Sequence, residues 1–211
     1  MEYNRLMKKS ASPQTSLTPA ILAYTRSEFA HKVAVTRERK AKLLHIDAMD
    51  GKFVDNTCFC SPVAVSKLVS STPFEAHLMV SRPAKHLAKW AAAGAQQVIV
   101  HIEATDDIQT VIAEAKRLKI KLWLAINPGT KITALPLILS GICGILVMGV
   151  MPGRGGQRFR PSALKTIANI RQMAPNVPIA VDGGVRANNA EKIISAGATR
   201  LIAGSYYFDA A

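Results

Sequence analysis

The chain has 211 residues, of which 49% are apolar and 19% charged, and its 27 basic and 14 acidic residues give a formal net charge of +13. A chain of this length folds as one domain with a full-sized core, and its apolar content excludes an intrinsically disordered protein. The three cysteines are odd in number and unevenly spaced, which argues against a disulfide framework and predicts a reducing, cytoplasmic location.

Neither a membrane segment nor a nucleic-acid interface is predicted. The first twenty residues have no continuous apolar stretch of the kind found in signal peptides. Residues 132–153 carry no charge, but Pro136 and Gly141 interrupt them, so they are interpreted as a short helix, a turn and a buried strand. The basic residues are spread along the whole chain without interleaved aromatic residues, which indicates a basic solvent-exposed surface rather than an RNA site.

After a polar leader over residues 1–17, short apolar runs alternate with stretches compatible with helices. The predicted strands are 20–24, 43–48, 74–80, 97–102, 122–127, 144–150, 178–182 and 200–204. The helical candidates include 84–93, 108–118, 161–173 and 188–195. Continuous apolar runs are typical of parallel strands that are buried on both faces.

Eight such strands, each followed by a helix, predict a single-domain (β/α)₈ TIM barrel over residues 18–211. A doubly wound open sheet is the alternative, but its phosphate-binding glycines follow the first strand, whereas here the glycine-rich loops follow the last three. Only seven residues follow the eighth predicted strand, so the last helix is expected to be shortened or missing. The leader or a partner subunit would then cover the apolar face, or it would stay uncovered.

Four residues that can bind a metal stand at the ends of predicted strands. His45 and Asp47 alternate in the second strand and share one face, while His77 and Asp182 end the third and seventh strands. Because the carboxyl ends of barrel strands meet at one rim, these side chains are expected to converge. Two imidazoles and two carboxylates suit Zn²⁺ or another first-row divalent ion. Each residue taken singly is equally compatible with a structural role.

Glycine-rich loops follow the sixth, seventh and eighth strands, at residues 152–157, 182–184 and 204–205. Glycines allow backbone N–H groups to approach an anion closely, and the N-termini of the following helices favour negative charge. No nucleotide-binding motif is present. The loops therefore predict a site for a phosphate monoester, with plain tight turns as the alternative.

These motifs together resemble those of the ribulose-phosphate 3-epimerases, from about Pro19 to Phe208. The matching segments are His45–Gly51, His77–Met79, Asn127–Thr130, Pro152–Gln157, Val181–Gly184 and Ala203–Ser205. The resemblance implies a (β/α)₈ barrel that interconverts D-ribulose 5-phosphate and D-xylulose 5-phosphate in the pentose phosphate pathway. It also implies one divalent metal ion per subunit, with zinc as the first candidate and iron, manganese or cobalt as alternatives.

The resemblance further assigns roles to individual residues. His45, Asp47, His77 and Asp182 correspond to the metal ligands of the family, and Asp47 and Asp182 to its proton acceptor and donor. The substrate contacts map onto His77, Gly153, Arg154, Gly155, Gly156, Asp182, Gly183, Gly184, Gly204 and Ser205, and the methionines that line the pocket onto Met49, Met79 and Met148. A homo-oligomer that acts on a small sugar phosphate is expected.

Two positions depart from the family pattern. Ala20 stands where the family has a serine that contacts the substrate, and Arg154 stands where an apolar residue is usual. The loss of the serine keeps a related ketohexose-6-phosphate 3-epimerase open as an alternative activity. A catalytically silent barrel that binds sugar phosphates or RNA is the alternative from another class, although a binding protein needs no pair of opposed acids.

Overall fold

Eight parallel strands close into a barrel in the computed structural model, which describes residues 16–105, 107–132 and 137–209. The strands are β1 (Ser16–Ile21), β2 (Leu44–Met49), β3 (Phe74–Met79), β4 (Gln97–His101), β5 (Lys121–Ile126), β6 (Gly144–Met148), β7 (Ile179–Asp182) and β8 (Arg200–Ala203). Each strand pairs with the next along the chain, and β8 pairs with β1 to close the ring. The predicted (β/α)₈ barrel is thus confirmed.

Seven α-helices are present among the described residues. They are α1 (Arg26–Glu38), α2 (Pro62–Val69), α3 (Ala84–Ala92), α4 (Ile108–Arg117), α5 (Ser162–Met173), α6 (Ala187–Ser195) and α7 (Ser205–Asp209). Local signals start several of them: the Thr25 side chain accepts a hydrogen bond from Glu28 N–H at the start of α1, and Asp107 does the same for two N–H groups of α4.

The connection between β5 and β6 departs from the expectation of one helix after every strand. Its described residues contain only a 3₁₀ turn, Leu139–Gly141, and residues 133–136 lie outside the described part. A Cβ atom at Gly141 would lie 2.7 Å from the Ile112 side chain, so the chain passes too close to α4 for a larger residue. No helix among the described residues is long and apolar enough to cross a membrane.

The last helix is short, as expected, with five residues in α7. Tyr206 and Tyr207 are buried, and the Arg39 guanidinium lies 5.0 Å from the centre of the Tyr207 ring while donating to the Tyr207 carbonyl. β1 begins at Ser16, inside the predicted leader, and residues 1–15 of that leader lie outside the described residues.

The barrel strands are buried on both faces, as their continuous apolar runs predict. One face packs against the surrounding helices, and the other fills the barrel interior with a second, smaller apolar cluster that includes Ile99, Trp123, Leu146 and Ile202. Polar residues also lie in the interior and are buried: His45, Asp47, Glu75, His77, His101, Asp182 and Arg200. Asp182 and His101 end their strands, whereas Glu75 and Arg200 lie near the amino ends of β3 and β8, and together these residues define the candidate site.

Candidate active site

Four side chains meet at the carboxyl ends of β2, β3 and β7. Donor atoms of His45, Asp47, His77 and Asp182 all lie within 4.8 Å of one another. His77 Nδ1 is 3.0 Å from Asp47 Oδ1 and 3.9 Å from Asp182 Oδ2, while His45 Nε2 is 3.5 Å from Asp47 Oδ1 and 4.0 Å from Asp182 Oδ2. The structure therefore brings together all four residues that the sequence singled out as metal ligands.

The cluster has the composition and the polarity of a cation site. His45 Nε2 is buried, makes no hydrogen bond and is directed at the two carboxylates. A buried polar atom without a partner is costly, and a bound cation would satisfy it. Two imidazole nitrogens with two carboxylates suit zinc and other first-row divalent ions. These residues therefore fit a divalent metal ion.

The two carboxyl groups of the cluster differ in their affinity for protons. Burial acts to raise the pKa of Asp47, but the neighbouring imidazoles of His45 and His77 outweigh it and hold that pKa well below its usual range. Burial, together with the negative charge of Asp47, raises the pKa of Asp182 to about 7. One carboxylate that stays ionised beside one that takes up a proton is an arrangement suited to acid–base chemistry.

Both histidines of the cluster are supported from behind by buried polar residues. Glu75 Oε1 lies 2.6 Å from His45 Nδ1, and Arg200 Nη1 lies 2.7 Å from Glu75 Oε2. His101 Nε2 lies 2.8 Å from His77 Nε2. Sequence reasoning missed Glu75 and Arg200 and set His101 aside. Glu75 could have been found from the alternation of side chains along a strand. It precedes His77 by two residues and therefore lies on the same face of β3.

A cavity of about 340 Å³ opens above the cluster at the mouth of the barrel. Asp47 and Asp182 are at its floor, and the buried side chains of Met79 and Met148 line it. Met49 is also buried but does not line this cavity. Two of the three predicted pocket methionines therefore contact the space in which a substrate would lie.

The glycine-rich loops form one wall of the same cavity. Its lining includes every residue of the predicted phosphate loops: Gly153, Arg154, Gly155, Gly156, Gly183, Gly184, Gly204 and Ser205. Gly184 has a φ of +69°, and a Cβ atom there would lie 2.4 Å from the Phe159 nitrogen, so only glycine fits this turn. Three loops that are far apart in sequence thus present backbone to one space.

Two cationic side chains border the cavity beside these loops. The Arg154 side chain is exposed, and its guanidinium has no hydrogen-bond or ion-pair partner among the described residues. Lys32, which sequence reasoning did not single out, reaches the cavity from α1 and donates to Leu22 O at 2.5 Å and Glu28 Oε1 at 2.7 Å. Ala20 also lines the cavity.

Comparisons with known proteins identify relatives across nearly the whole chain. Residues 16–208 match the model of the ribulose-phosphate 3 epimerase family. The chain is 36% identical over 202 residues to the chloroplastic ribulose-5-phosphate-3-epimerase of Arabidopsis thaliana, covering 92% of this chain and 72% of that protein. It is 33% identical over 202 residues to the ribulose-phosphate 3-epimerase of Synechocystis, covering 92% and 87%.

Solved structures support the fold alone. A mutant tryptophan synthase α-subunit from Pyrococcus furiosus superimposes with a TM-score of 0.70 at 16% sequence identity, covering 90% of this chain and 87% of that one. At such low identity the likeness concerns the barrel and not the chemistry.

Proposed function

Because the chain belongs to the ribulose-phosphate 3-epimerase family, we propose that it interconverts D-ribulose 5-phosphate and D-xylulose 5-phosphate by proton transfer at C3. The observation that carries this proposal is the convergence of Asp47 and Asp182 at the floor of a cavity whose wall is built from glycine-rich loops. Family membership confirms the resemblance predicted from the motifs and places the chain among isomerases.

Epimerisation at C3 removes a proton from one face of the carbon and returns a proton to the opposite face, through a planar enediolate. Asp47 on β2 accepts the proton and Asp182 on β7 donates it, and the roles exchange in the reverse reaction. Both carboxyl groups line the cavity from different strands, so a substrate bound between them meets one acid on each side. Met79 and Met148 keep water away from the reacting carbon.

The four clustered residues would hold one divalent cation, with zinc as the first candidate and iron, manganese or cobalt as alternatives. The chemistry that such an ion supplies when bound is stabilisation of the negative charge that develops on the substrate oxygens. His45 contributes its unpartnered Nε2, and His77 contributes Nδ1, which faces both carboxylates.

The glycine loops bind the substrate phosphate through backbone N–H groups, at a distance from the reacting carbon. Binding energy gained there orients C3 between the two acids. Arg154 adds a charge-assisted contact from the rim, since its guanidinium lies beside the same loop and has no other described partner.

Solvent exchange tests the two-acid mechanism directly. In D₂O the protein should introduce deuterium at C3 of the pentulose phosphate. Asp182→Asn should abolish epimerisation and the exchange from the epimer whose C3 proton Asp182 removes, while the affinity for phosphate is largely retained. Asp107→Asn, at the exposed start of α4, is the matched control and should behave like the wild type. Epimerisation by Asp182→Asn, or exchange at C3 of both epimers, would contradict the mechanism.

Metal content is a separate measurement. Elemental analysis of the purified protein should find about one divalent ion per chain, and a chelator should remove both the ion and the epimerase activity. Activity that survives complete removal of the metal would contradict the metal-dependent part of the proposal.

A related ketohexose-6-phosphate 3-epimerase is the second candidate, because Ala20 leaves the cavity wall without the hydroxyl of the usual serine. Assays of the two substrates side by side separate these activities: a clear kcat/KM advantage for the hexulose phosphate would favour the second. A silent sugar-phosphate- or RNA-binding barrel predicts no exchange at C3, and RNA binding that resists salt would support it. A homo-oligomer stays a prediction, which light scattering can check.

A further inference from the structure

A buried ion pair crosses the barrel interior beneath the four clustered residues. Glu75 on β3 is completely buried, Arg200 on β8 is 8% exposed, and Arg200 Nη1 lies 2.7 Å from Glu75 Oε2. Gln97 on β4 donates its side-chain amide to the same oxygen. The carboxylate is therefore held from two further strands of the barrel, and its orientation is set before anything binds above it.

The other oxygen of Glu75 is directed at a metal-ligand candidate. Glu75 Oε1 lies 2.6 Å from His45 Nδ1, so the proton on that ring belongs on Nδ1, from which it is donated to the carboxylate. In the neutral ring the second nitrogen, Nε2, then carries the lone pair, and this is the atom that faces Asp47 and Asp182. A carboxylate in this position is a well-known way of orienting a metal-binding imidazole and increasing its basicity.

A contribution to the stability of the fold does not explain the Glu75–Arg200 ion pair. A buried ion pair loses much of its attraction to desolvation, and apolar residues of similar volume serve the core equally well. Arg200 Nε and Nη2 make no hydrogen bond, and the guanidinium lies 4.5 Å from the centre of the Trp123 ring. Neighbouring interior positions are apolar, including Ile99 and Ile202. Below the cluster, the charged side chains of Glu75 and Arg200 thus lie among apolar neighbours.

Arg200 is needed to balance the negative charge of Glu75. The two ligand carboxylates balance a divalent cation, which leaves the negative charge of Glu75 uncompensated in a buried space. Arg200 supplies the missing positive charge at hydrogen-bond distance and keeps Glu75 available as an acceptor for His45.

We propose that Glu75 and Arg200 are positioning residues for the metal ligand His45: Glu75 accepts a hydrogen bond from His45 Nδ1–H and so commits Nε2 to the cation, and Arg200 holds Glu75 in place. This inference rests on the proposed metal-dependent function and adds residues to it that lie outside the predicted site. The expected effects concern metal affinity and the protonation pattern of one histidine ring, both of which can be measured without an activity assay.

The first test uses the wild-type protein loaded with Zn²⁺. Long-range ¹H–¹⁵N NMR spectra distinguish a protonated from a metal-bound ring nitrogen, and the spectrum of His45→Gln assigns the His45 signals by their absence. We expect His45 to carry its proton on Nδ1. A proton on Nε2, with the metal on Nδ1, would overturn the proposal without any variant having to fold.

The second test measures Zn²⁺ affinity by competition with a chromogenic chelator. Glu75→Gln and Arg200→Met should weaken binding by about 10- to 100-fold, whereas Arg200→Lys, which keeps the charge, should recover part of the loss. Leu201→Val, in the same strand but in the apolar cluster that packs against the helices, is the matched control and should bind like the wild type.

The outcomes separate this inference from the proposed function. Tight Zn²⁺ binding by the wild type, with unchanged affinity in both Glu75→Gln and Arg200→Met, refutes the positioning role and leaves the proposed function intact. A wild type that binds none of Zn²⁺, Fe²⁺, Mn²⁺ and Co²⁺ refutes both the positioning role and the metal-dependent part of the proposed function. If Glu75→Gln does not fold, the comparison of Arg200→Met with Arg200→Lys and the wild-type spectrum decide the question.

Discussion

The imidazole rings of His77 and His101 stack inside the barrel, with their centres 5.0 Å apart and their Nε2 atoms 2.8 Å apart. Two nitrogens at this distance share one proton, so one ring donates and the other accepts. Burial lowers the pKa of His101 to about 4, which keeps it neutral, and its Nδ1 lies 3.5 Å from Glu103 Oε2, which favours the proton on Nδ1 and leaves Nε2 to accept. His77 then donates from Nε2, and its Nδ1 is left to face Asp47 and Asp182.

Replacement of His101 should therefore weaken metal binding through His77. His101→Phe removes the acceptor, although Phe53 stacks on the ring at 4.9 Å and would also pack against phenylalanine. We expect a roughly 10- to 100-fold loss of Zn²⁺ affinity, measured by chelator competition. His101→Gln retains an acceptor and should lose less; equal losses in the two variants would show that only the shape of the ring matters.

Ala20→Ser should improve catalysis on the pentulose phosphate. Ala20 is 4% exposed at the cavity wall, and its Cβ lies 3.9 Å from the Cβ position of Gly204, beside the phosphate loop. A restored hydrogen bond contributes about 1 kcal/mol, so kcat/KM should rise roughly fivefold. The ratio of pentulose to hexulose phosphate turnover measures the change in preference. A lower kcat/KM would show that the hydroxyl finds no partner here.

Arg154→Leu should raise KM for the substrate while leaving the free energy of unfolding unchanged. The side chain is exposed and has no described partner to lose, so its removal costs only the contact with phosphate. The effect should weaken as salt is added, because the contact is electrostatic and open to solvent. Lys165→Leu, on α5 outside the cavity lining, is the control. An unchanged KM would assign Arg154 to the solvent-exposed surface.

Gly184→Ala and Gly156→Ala separate steric exclusion from backbone strain in the phosphate wall. Both glycines have positive φ, +69° and +74°, so alanine costs about 1–2 kcal/mol at either site. At Gly184 the new Cβ would also lie 2.4 Å from the Phe159 nitrogen, whereas nothing lies within 4 Å at Gly156. Thermal unfolding should show a distinctly larger loss for Gly184→Ala. Equal losses would mean that the Phe159 segment moves aside freely.

Asp50 holds the loop after β2 to the end of β3. Its carboxylate accepts hydrogen bonds from Lys52 N, Phe53 N, Ser81 N and Ser81 Oγ, at 2.9–3.1 Å. Asp50→Asn should lower the free energy of unfolding by about 1–3 kcal/mol at neutral pH, because hydrogen bonds to a charged group are lost.

The difference between Asp50 and its asparagine variant should depend on pH. Burial acts to raise the pKa of Asp50, but backbone N–H groups of Lys52, Phe53 and Ser81 outweigh it and lower that pKa below its ordinary value of 3.8. A lowered pKa in the folded state stabilises the fold above pH 3.8, and this stabilisation is lost as the pH falls further. Urea unfolding between pH 7 and pH 3 should show the two proteins converging. A constant difference would contradict this assignment.

The strand pattern was readable from sequence because each barrel strand is a continuous apolar run bounded by turn residues. The predicted alternation of strands and helices is not seen in the β5–β6 connection, where a helix was expected and the described residues form only a 3₁₀ turn. Packing decided that segment: Gly141 lies against Ile112 on α4, a contact between residues that are distant in sequence. The hydrophobic repeats from which strands and helices are predicted, with periods of 2 and 3.6 residues, contain no information about such contacts.

The amino-acid sequence by itself determined the barrel, the family and the four residues that meet at its rim, because alternation along a strand and the common direction of parallel strands place side chains predictably. Only the tertiary structure decided that Glu75 and Arg200 pair across the interior, that His101 contacts His77, and that Lys32 reaches the cavity. The reason is physical: whether a buried charge is tolerated depends on a partner from another strand, and only closure of the barrel brings the side chains of Glu75 on β3 and Arg200 on β8 within hydrogen-bond distance.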